Sequence, residues 1–297
     1  MSFPIGIIGL PNVGKSTLFK ALTKKQVDIA DYPFTTIKPN IGIVAVPDKR
    51  LEKIAEIIKP EKITPTIIEF VDIAGLVKNA HKGDGLGNQF LAQIRACDLL
   101  IQVVKIFDKN ADPKNEIEII KTELEMKDLE SKEKENLLSK KPIIYLFNTN
   151  NGAKGVEGAE TRPPLKAEVG SPLIFLNLKL EEEISELSNQ EKKELAVESG
   201  LDQLVLNCYS ILNLITFYTI TGGKEVRAWT TQMETKCSQA GGKVHSDFEE
   251  KFIKAEVINW EKLIVAGSWQ KAREKGYIKT TGRDYLVQDG DIIEFKI

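Results

Sequence analysis

Short runs rich in apolar, β-branched residues recur along the first two thirds of the chain, at Phe3–Leu10, Ile41–Val46, Ile67–Ile73, Leu99–Phe107, Pro142–Phe147 and Pro172–Leu176. Helical patterns alternate with them at Ser16–Lys25, Asp48–Lys59, Gly87–Cys97 and Asn115–Lys140. Strands that are apolar on both faces and separated by helices predict an α/β domain, a mostly parallel sheet with helices on both faces. Ligands then bind at the carboxyl ends of the strands, where the loops collect. From Leu201 the character changes. Leu201–Leu214 predicts an amphipathic connecting helix. Beyond it, short strands at Phe217–Thr221, Glu225–Thr230, Tyr285–Gln288 and Ile292–Ile297 alternate with turns at Gly222-Gly223 and Asp289-Gly290, and His245–Ala255 is helical in period. The pattern divides the chain into an α/β domain over 1–205 and a small α+β domain over 214–297, a usual size for an independent module. Thr149–Ser171 is Gly/Pro-rich and aperiodic, a loose insert within a compact sheet domain.

The first loop carries the sharpest chemistry. Gly9-Leu-Pro-Asn-Val-Gly14-Lys15-Ser16 is a full G-x-x-x-x-G-K-[ST] sequence, with a strand-like run before it and a helical pattern after it. In that setting the backbone N–H groups of residues 12–17 (Asn12, Val13, Gly14, Lys15, Ser16 and Thr17) turn inward around an oligophosphate, above the positive end of a helix. Lys15 adds a point charge at the β/γ phosphates, and Ser16 offers its hydroxyl to Mg²⁺. The chain is thus expected to bind a nucleoside triphosphate.

Three further positions fit a switch built around that phosphate. Val71-Asp72-Ile73-Ala74-Gly75 ends an apolar strand; an acid there holds Mg²⁺ through water, and the Gly75 amide touches a γ-phosphate. Thr36, in Asp31-Tyr-Pro-Phe-Thr-Thr-Ile-Lys-Pro-Asn40, lies where switch GTPases place the Thr that completes the Mg²⁺ shell. Asn148-Thr149 ends the Pro142–Phe147 strand, where Ras-like proteins read guanine with Asn-Lys-x-Asp; here the Lys position holds Thr149 and the Asp position Asn151. An amide presents one donor side and one acceptor side, which suits adenine's edge better than guanine's. That argues against strict GTP specificity without establishing ATP. The water-orienting Gln that follows D-x-x-G in Ras-like enzymes is replaced by Leu76. His81 and Asp84, in the Gly-rich stretch Leu76–Gly87, are the candidates to orient water, His81 the better of the two, and slow hydrolysis by positioning and electrostatics is expected.

Bulk properties narrow the field. A net charge of −2 gives no global basic surface for nucleic acid, so such a contact would be a local patch. Three scattered cysteines and two distant histidines form no disulfide framework or zinc pattern. No run of 18 apolar residues and no signal-type leader is found, so a cytoplasmic protein without a membrane partner is expected.

Together, residues 10–17, 31–40, 71–77 and Gly-Leu-Gly-Asn (85–88) resemble the YchF/Obg-like ATPases. Lys-Glu-Val-Arg-Ala-Trp (224–229), Gly-Lys-Val-His-Ser-Asp-Phe-Glu (242–249) and Val-Gln-Asp-Gly-Asp (287–291) are similar to that family's TGS domain. The resemblance covers nearly the whole chain. It implies a Ras-like P-loop NTPase domain with a ubiquitin-like TGS module, ATP preferred over GTP, and association with ribosomes. It also implies Ser16 and Thr36 as Mg²⁺ ligands with Asp72 nearby, and it makes Leu76 the family's hydrophobic replacement for Gln. Asn12 matches a loop Asn that related NTPases use to hold a monovalent cation, so K⁺ activation is expected. The family's long helical arm is largely missing: Asn115–Lys140 supplies about one helix, a remnant over 113–140. The family loop with a His proposed to assist hydrolysis is likewise missing between Phe107 and Asp112. The family's Glu near the base is Asn151 here, and its small Ser/Cys-Ala pair is Asn177-Leu178, which bears on base preference and not on phosphate binding.

The expected function is a slow, Mg²⁺-dependent, ATP-preferring, monomeric switch whose nucleotide state governs ribosome binding. The alternative is a nucleotide-regulated ribosome- or RNA-binding module, GTP-using or with hydrolysis incidental, with Lys224, Arg227, Trp229, Lys236 and Lys243 of the TGS segment as its RNA-facing group. A metabolic kinase is disfavoured, since no acceptor-substrate site is visible.

Overall fold

The computed structural model describes residues 3–24, 40–73, 86–108, 110–130, 137–150 and 173–297. The chain forms two compact units, Ser2–Val44 with Ile68–Cys208, and Ala45–Ile67 with Tyr209–Ile297. The division is therefore not a single cut near residue 205: Ala45–Ile67 leaves the first unit and joins the C-terminal one.

The first unit is built on a six-stranded sheet, in the order β2-β4-β1-β5-β6-β7. Its strands are β1 (Pro4–Ile8), β2 (Ile41–Ala45), β4 (Ile67–Asp72), β5 (Leu99–Lys105), β6 (Ile143–Asn148) and β7 (Leu173–Leu176). β1 pairs in parallel with β4 and β5, β5 with β6, and β6 with β7. The central strands read as continuous apolar runs because both faces are covered; Ile5, Ile7, Leu99, Ile101 and Leu146 are fully buried. The covering helices are α1 (Lys15–Thr23), α3 (Leu86–Arg95), α4 (Pro113–Glu130), α5 (Leu178–Glu186), α6 (Asn189–Glu194) and α7 (Gly200–Ile211). Leu138–Lys140 forms a turn of its own and not a continuation of α4. The Asp128 carboxylate accepts from the backbone N–H groups of Leu138 and Ser139, both at 2.8 Å, and the turn Leu138–Lys140 buries Leu138.

The second unit holds another six-stranded sheet, β11-β10-β12-β8-β9-β3. Its strands are β3 (Lys62–Thr64), β8 (Leu214–Thr221), β9 (Glu225–Gln232), β10 (Lys254–Asn259), β11 (Lys279–Thr281) and β12 (Asp291–Lys296). Helix α2 (Lys49–Ile58) packs on one face together with α10 (Trp260–Ala266) and α11 (Trp269–Glu274), and Leu51 and Ile54 meet Tyr218, Val226, Ile258 and Leu263 there. The other face is filled by Phe217, Phe252, Val257, Val287 and Phe295 beneath α8 (Cys237–Val244), with α9 (Ser246–Glu250) next to it. Two local expectations change. The helical period over His245–Ala255 yields only α9, because Lys254–Asn259 pairs in antiparallel register with β12 and buries alternate residues Ala255 and Val257. Tyr285–Gln288 forms no strand; Leu286 makes a single bridge to Lys236, and the segment leads into a turn closed by Asp291, which accepts from the Gln288 N–H at 2.9 Å.

Candidate functional site

The phosphate-loop sequence sits between β1 and α1, at the carboxyl end of the sheet. Gly14 caps α1 in the left-handed region, φ 108°, which a side chain rarely adopts. A Cβ there would stand 2.6 Å from Asn148 Nδ2, so the loop needs glycine to lie against β6. Asn12 also takes a positive φ, 61°, on the exposed crest of the loop. Val13 turns inward and is buried. Its carbonyl accepts from Asn148 Nδ2 at 3.0 Å, while Asn148 Oδ1 accepts from the Leu178 N–H at 3.2 Å. One buried amide thus ties the phosphate loop to the start of α5.

Lys15 folds back over the loop. Its ammonium donates to the carbonyls of Gly9 at 3.0 Å and Leu10 at 2.9 Å. Burial lowers its pKa, and the charge of Asp72 opposes that shift. Asp72 reaches the same place because β4 lies beside β1 with Asp72 in register with Ile7. Burial raises the Asp72 pKa, and Lys15 partly offsets it. The Asp72 N–H donates to the Asn40 carbonyl at 2.9 Å, which fixes the strand end.

Ser16 is exposed in the first turn of α1 and Thr17 is half-buried behind it. The Ser16 hydroxyl and the Asp72 carboxylate are hard oxygen donors that suit Mg²⁺. Among the described residues no group of three or more His, Cys, Asp or Glu could hold a metal ion. Thr149, buried, donates its N–H to the Leu176 carbonyl at 2.9 Å. Asn177 caps α5, its Oδ1 accepting from the Leu180 N–H at 3.1 Å, and its Nδ2 donates to the Asn150 carbonyl at 2.7 Å.

The structure therefore gathers Asn12–Thr17, Asp72, Asn148 and Thr149 at the carboxyl ends of β1, β4 and β6. Thr36, Gly75 and His81, with Leu76, Asp84 and Asn151, lie outside the described residues. Leu178, expected beside the base only through the family resemblance, has a role the sequence did not show: its N–H donates to Asn148, just after Asn177 caps the helix. Lys20 and Lys24 of α1 pair with Glu182 and Glu186 of α5, which fixes the helix behind the loop.

In the second unit the basic group is partly structural. The Arg227 guanidinium lies 4.4 Å over the Trp229 ring, Trp229 Nε1 donates to Thr219 at 2.9 Å, and Lys236 pairs with Asp284 at 2.7 Å. Burial lowers the Lys243 pKa.

Two family profiles match the chain. One, described as 50S ribosome-binding GTPase, covers residues 4–149; the other, the YchF GTPase C-terminal domain, described as a protein of unknown function, covers 214–297. "Ribosome-binding ATPase YchF" of Bacillus subtilis is 39% identical across 100% of this chain and 99% of its own length. Its counterpart in Escherichia coli O157:H7 is 38% identical across 99% of each. The Bacillus alignment runs over 364 positions against 297 residues here, so the relative carries segments without a counterpart in this chain. The solved structure of the Schizosaccharomyces pombe YchF GTPase superposes with a TM-score of 0.85 at 31% identity, covering 99% of this chain and 98% of that one.

Proposed function

The chain belongs to the YchF family, and from that premise we propose that it is a ribosome-associated P-loop ATPase, Mg²⁺-dependent and slow, that works as a nucleotide-controlled switch. The observation that carries this reading is the pre-shaped phosphate loop, held by Asn148 from below and by Lys15 across its mouth. Binding of the triphosphate draws Lys15 from the Gly9 and Leu10 carbonyls to the β/γ oxygens, a charge-assisted exchange that stays within one buried site. The backbone N–H groups of Asn12–Thr17 orient the phosphates, with the helix terminus beneath them. Ser16, Thr36 and Asp72 would hold Mg²⁺, which neutralises charge on the phosphate oxygens. Gly75 contacts the γ-phosphate, and His81 is the group assigned to orient water. Asn148 spends one Nδ2 hydrogen on Val13; the amide has two, and the other is assigned, with Thr149, to the base.

ATP is the preferred nucleotide in this reading, with GTP as a weaker substitute, and K⁺ held by Asn12 accelerates turnover. The protein acts as a cytoplasmic monomer, and Lys224, Arg227 and Trp229 contribute a local RNA contact. A competition titration of labelled ATP and GTP, with Mg²⁺ and K⁺ present, tests the reading. Clear ATP preference, with binding of both nucleotides lost in Lys15→Ala, supports it; equal or GTP-favoured binding makes the protein a general NTPase or GTPase switch. Equal turnover in Na⁺ and K⁺ removes the role given to Asn12. Ribosome co-sedimentation that is indifferent to nucleotide and survives Lys15→Ala favours a binding module in which hydrolysis is incidental.

A further inference from the structure

The second unit is joined to the first by three chain crossings, at Val44/Ala45, Ile67/Ile68 and Cys208/Tyr209. A module on one linker moves independently of its neighbour by default. Here two of the crossings continue β2 and β4 directly: β2 follows the segment that contains Thr36, and β4 ends at Asp72. Between the two crossings the chain makes an excursion, Ala45–Ile67, whose neck is closed by the Val46 N–H donating to the Thr66 carbonyl at 2.9 Å.

The excursion is gripped at both legs. On the outgoing leg Asp48 caps α2, accepting from the Arg50 N–H at 3.0 Å. Arg50 Nε and Nη2 return to the same carboxylate at 2.8 and 3.0 Å, and Nη1 donates to Asp289 Oδ2 at 2.6 Å. The Tyr218 hydroxyl donates to Asp48, and Asp289 Oδ1 accepts from the Thr216 N–H at 2.9 Å. Burial would depress the Arg50 pKa, but the bonds to Asp48 and Asp289 outweigh it and raise it, so the guanidinium stays charged. Gly290 makes this fit possible: at φ 87° its Cβ would stand 2.5 Å from Trp260 Cδ1, and its N–H donates to the Thr216 carbonyl at 2.8 Å. The Val-Gln-Asp-Gly-Asp sequence thus serves as a socket for α2. On the return leg β3 pairs in parallel with β9, Thr64 donates to Glu225 at 2.6 Å, and the Thr66 and Thr230 hydroxyls meet. Leu51 and Ile54 are buried beneath, so α2 does not leave the sheet cheaply.

We propose that Ala45–Ile67 is a relay that carries nucleotide state from the phosphate site to the C-terminal unit, with Arg50 and Asp289 as the positioning residues that fasten it. This rests on the triphosphate-binding reading above. A nucleotide engaged through Thr36 and Asp72 pulls on the two strands that enter the excursion. Because the excursion is held by a charged clasp and a strand pairing, the pull reaches the Thr216 and Gly290 amides instead of dissipating in a linker.

Amide hydrogen exchange on the full chain, with and without a non-hydrolysable ATP analogue and Mg²⁺, tests this. Saturating analogue is expected to change exchange at Thr216 and Gly290 by about 5-fold or more, the low end of ordinary coupling. Arg50→Gln is expected to abolish that nucleotide dependence while ATP affinity stays within about 3-fold, and Arg50→Lys to restore part of it. Asp289→Asn, which keeps the acceptor for Thr216 but not the charge facing Arg50, serves if Arg50→Gln folds poorly. A purely structural clasp would raise exchange equally with and without analogue, and that result overturns the relay. So does a wild-type chain that binds the analogue without any change at these amides. A wild-type chain that fails to bind it at all overturns the nucleotide-binding reading itself, and the relay with it.

Discussion

Asn148→Ala isolates the bond on which the phosphate loop rests. The wild-type amide is buried, donates to the Val13 carbonyl at 3.0 Å and accepts from the Leu178 N–H at 3.2 Å. Alanine leaves both backbone groups without that partner, at about 1–3 kcal/mol each for an unsatisfied buried group, so a loss of about 2–6 kcal/mol is expected. For a unit of this size each 1 kcal/mol lowers Tm by about 2–4 °C, which puts the shift between about 4 and 24 °C. The loop should also lose shape, since Val13 is the inward-pointing residue between Asn12 and Gly14, and each 1.4 kcal/mol of lost preorganisation weakens ATP binding about tenfold. Asn148→Asp is the control that keeps volume: it sets a carboxylate against the Val13 carbonyl and should cost at least as much. Urea denaturation followed by circular dichroism gives the stability, and titration with a fluorescent ATP analogue gives the affinity. Tryptophan fluorescence would mislead, because Trp229, Trp260 and Trp269 all lie in the C-terminal unit. A loss under about 0.5 kcal/mol, within what surface substitutions give, with unchanged affinity would refute the claim that this amide holds the loop.

Other changes separate stability from nucleotide chemistry. Asp72→Asn should abolish Mg²⁺-dependent hydrolysis yet stabilise the free protein near neutral pH. Burial lifts the carboxyl above its ordinary 3.8, so the folded state binds more protons than the unfolded one, and stability falls as pH rises through that interval. The variant's advantage in urea denaturation should therefore grow from pH 4 to pH 7, and a shrinking advantage would contradict the assignment. Ile54→Ala, at a fully buried position of α2, should cost about 2–5 kcal/mol and deprotect β8 and β9 in hydrogen exchange. If only the first unit's sheet were deprotected, the allegiance of Ala45–Ile67 would be wrong. Lys141→Met removes donors to the Arg95 and Cys97 carbonyls at 3.1 and 2.6 Å, at the end of α3, and should cost about 1–2 kcal/mol while leaving ATP affinity intact. A tenfold affinity loss there would show that this end of the sheet also shapes the site.

What the sequence discloses and what it hides divide along the range of the interaction. The phosphate loop is local: eight consecutive residues specify a turn, a helix start and a charge, and the structure places them between β1 and α1. The parallel sheet is also legible, since burial on both faces writes itself into each strand as an unbroken apolar run. α2 shows the limit. Its apolar stripe announces one buried face, but a stripe carries no address, and Leu51 and Ile54 would look the same against either sheet. β3 is harder still: three residues, one of them the half-exposed Ile63, take strand form only because β9, far along the chain, lies beside them. Asp289 illustrates the same point from the other side. In sequence Asp-Gly is a turn signal, and the turn is there, with Gly290 at positive φ. The aspartate's second oxygen, however, reaches Arg50, and nothing local to residue 289 predicts a partner at residue 50. Misreading Ala45–Ile67 as ordinary first-unit chain therefore conceals the feature with the most mechanical consequence. A domain boundary drawn near residue 205 implies one flexible joint. Three crossings, two of them in line with β2 and β4, of which β4 lies beside the strand that leads into the phosphate loop, give the C-terminal unit a route to that loop, and a nucleotide-insensitive Arg50 variant would separate the two descriptions.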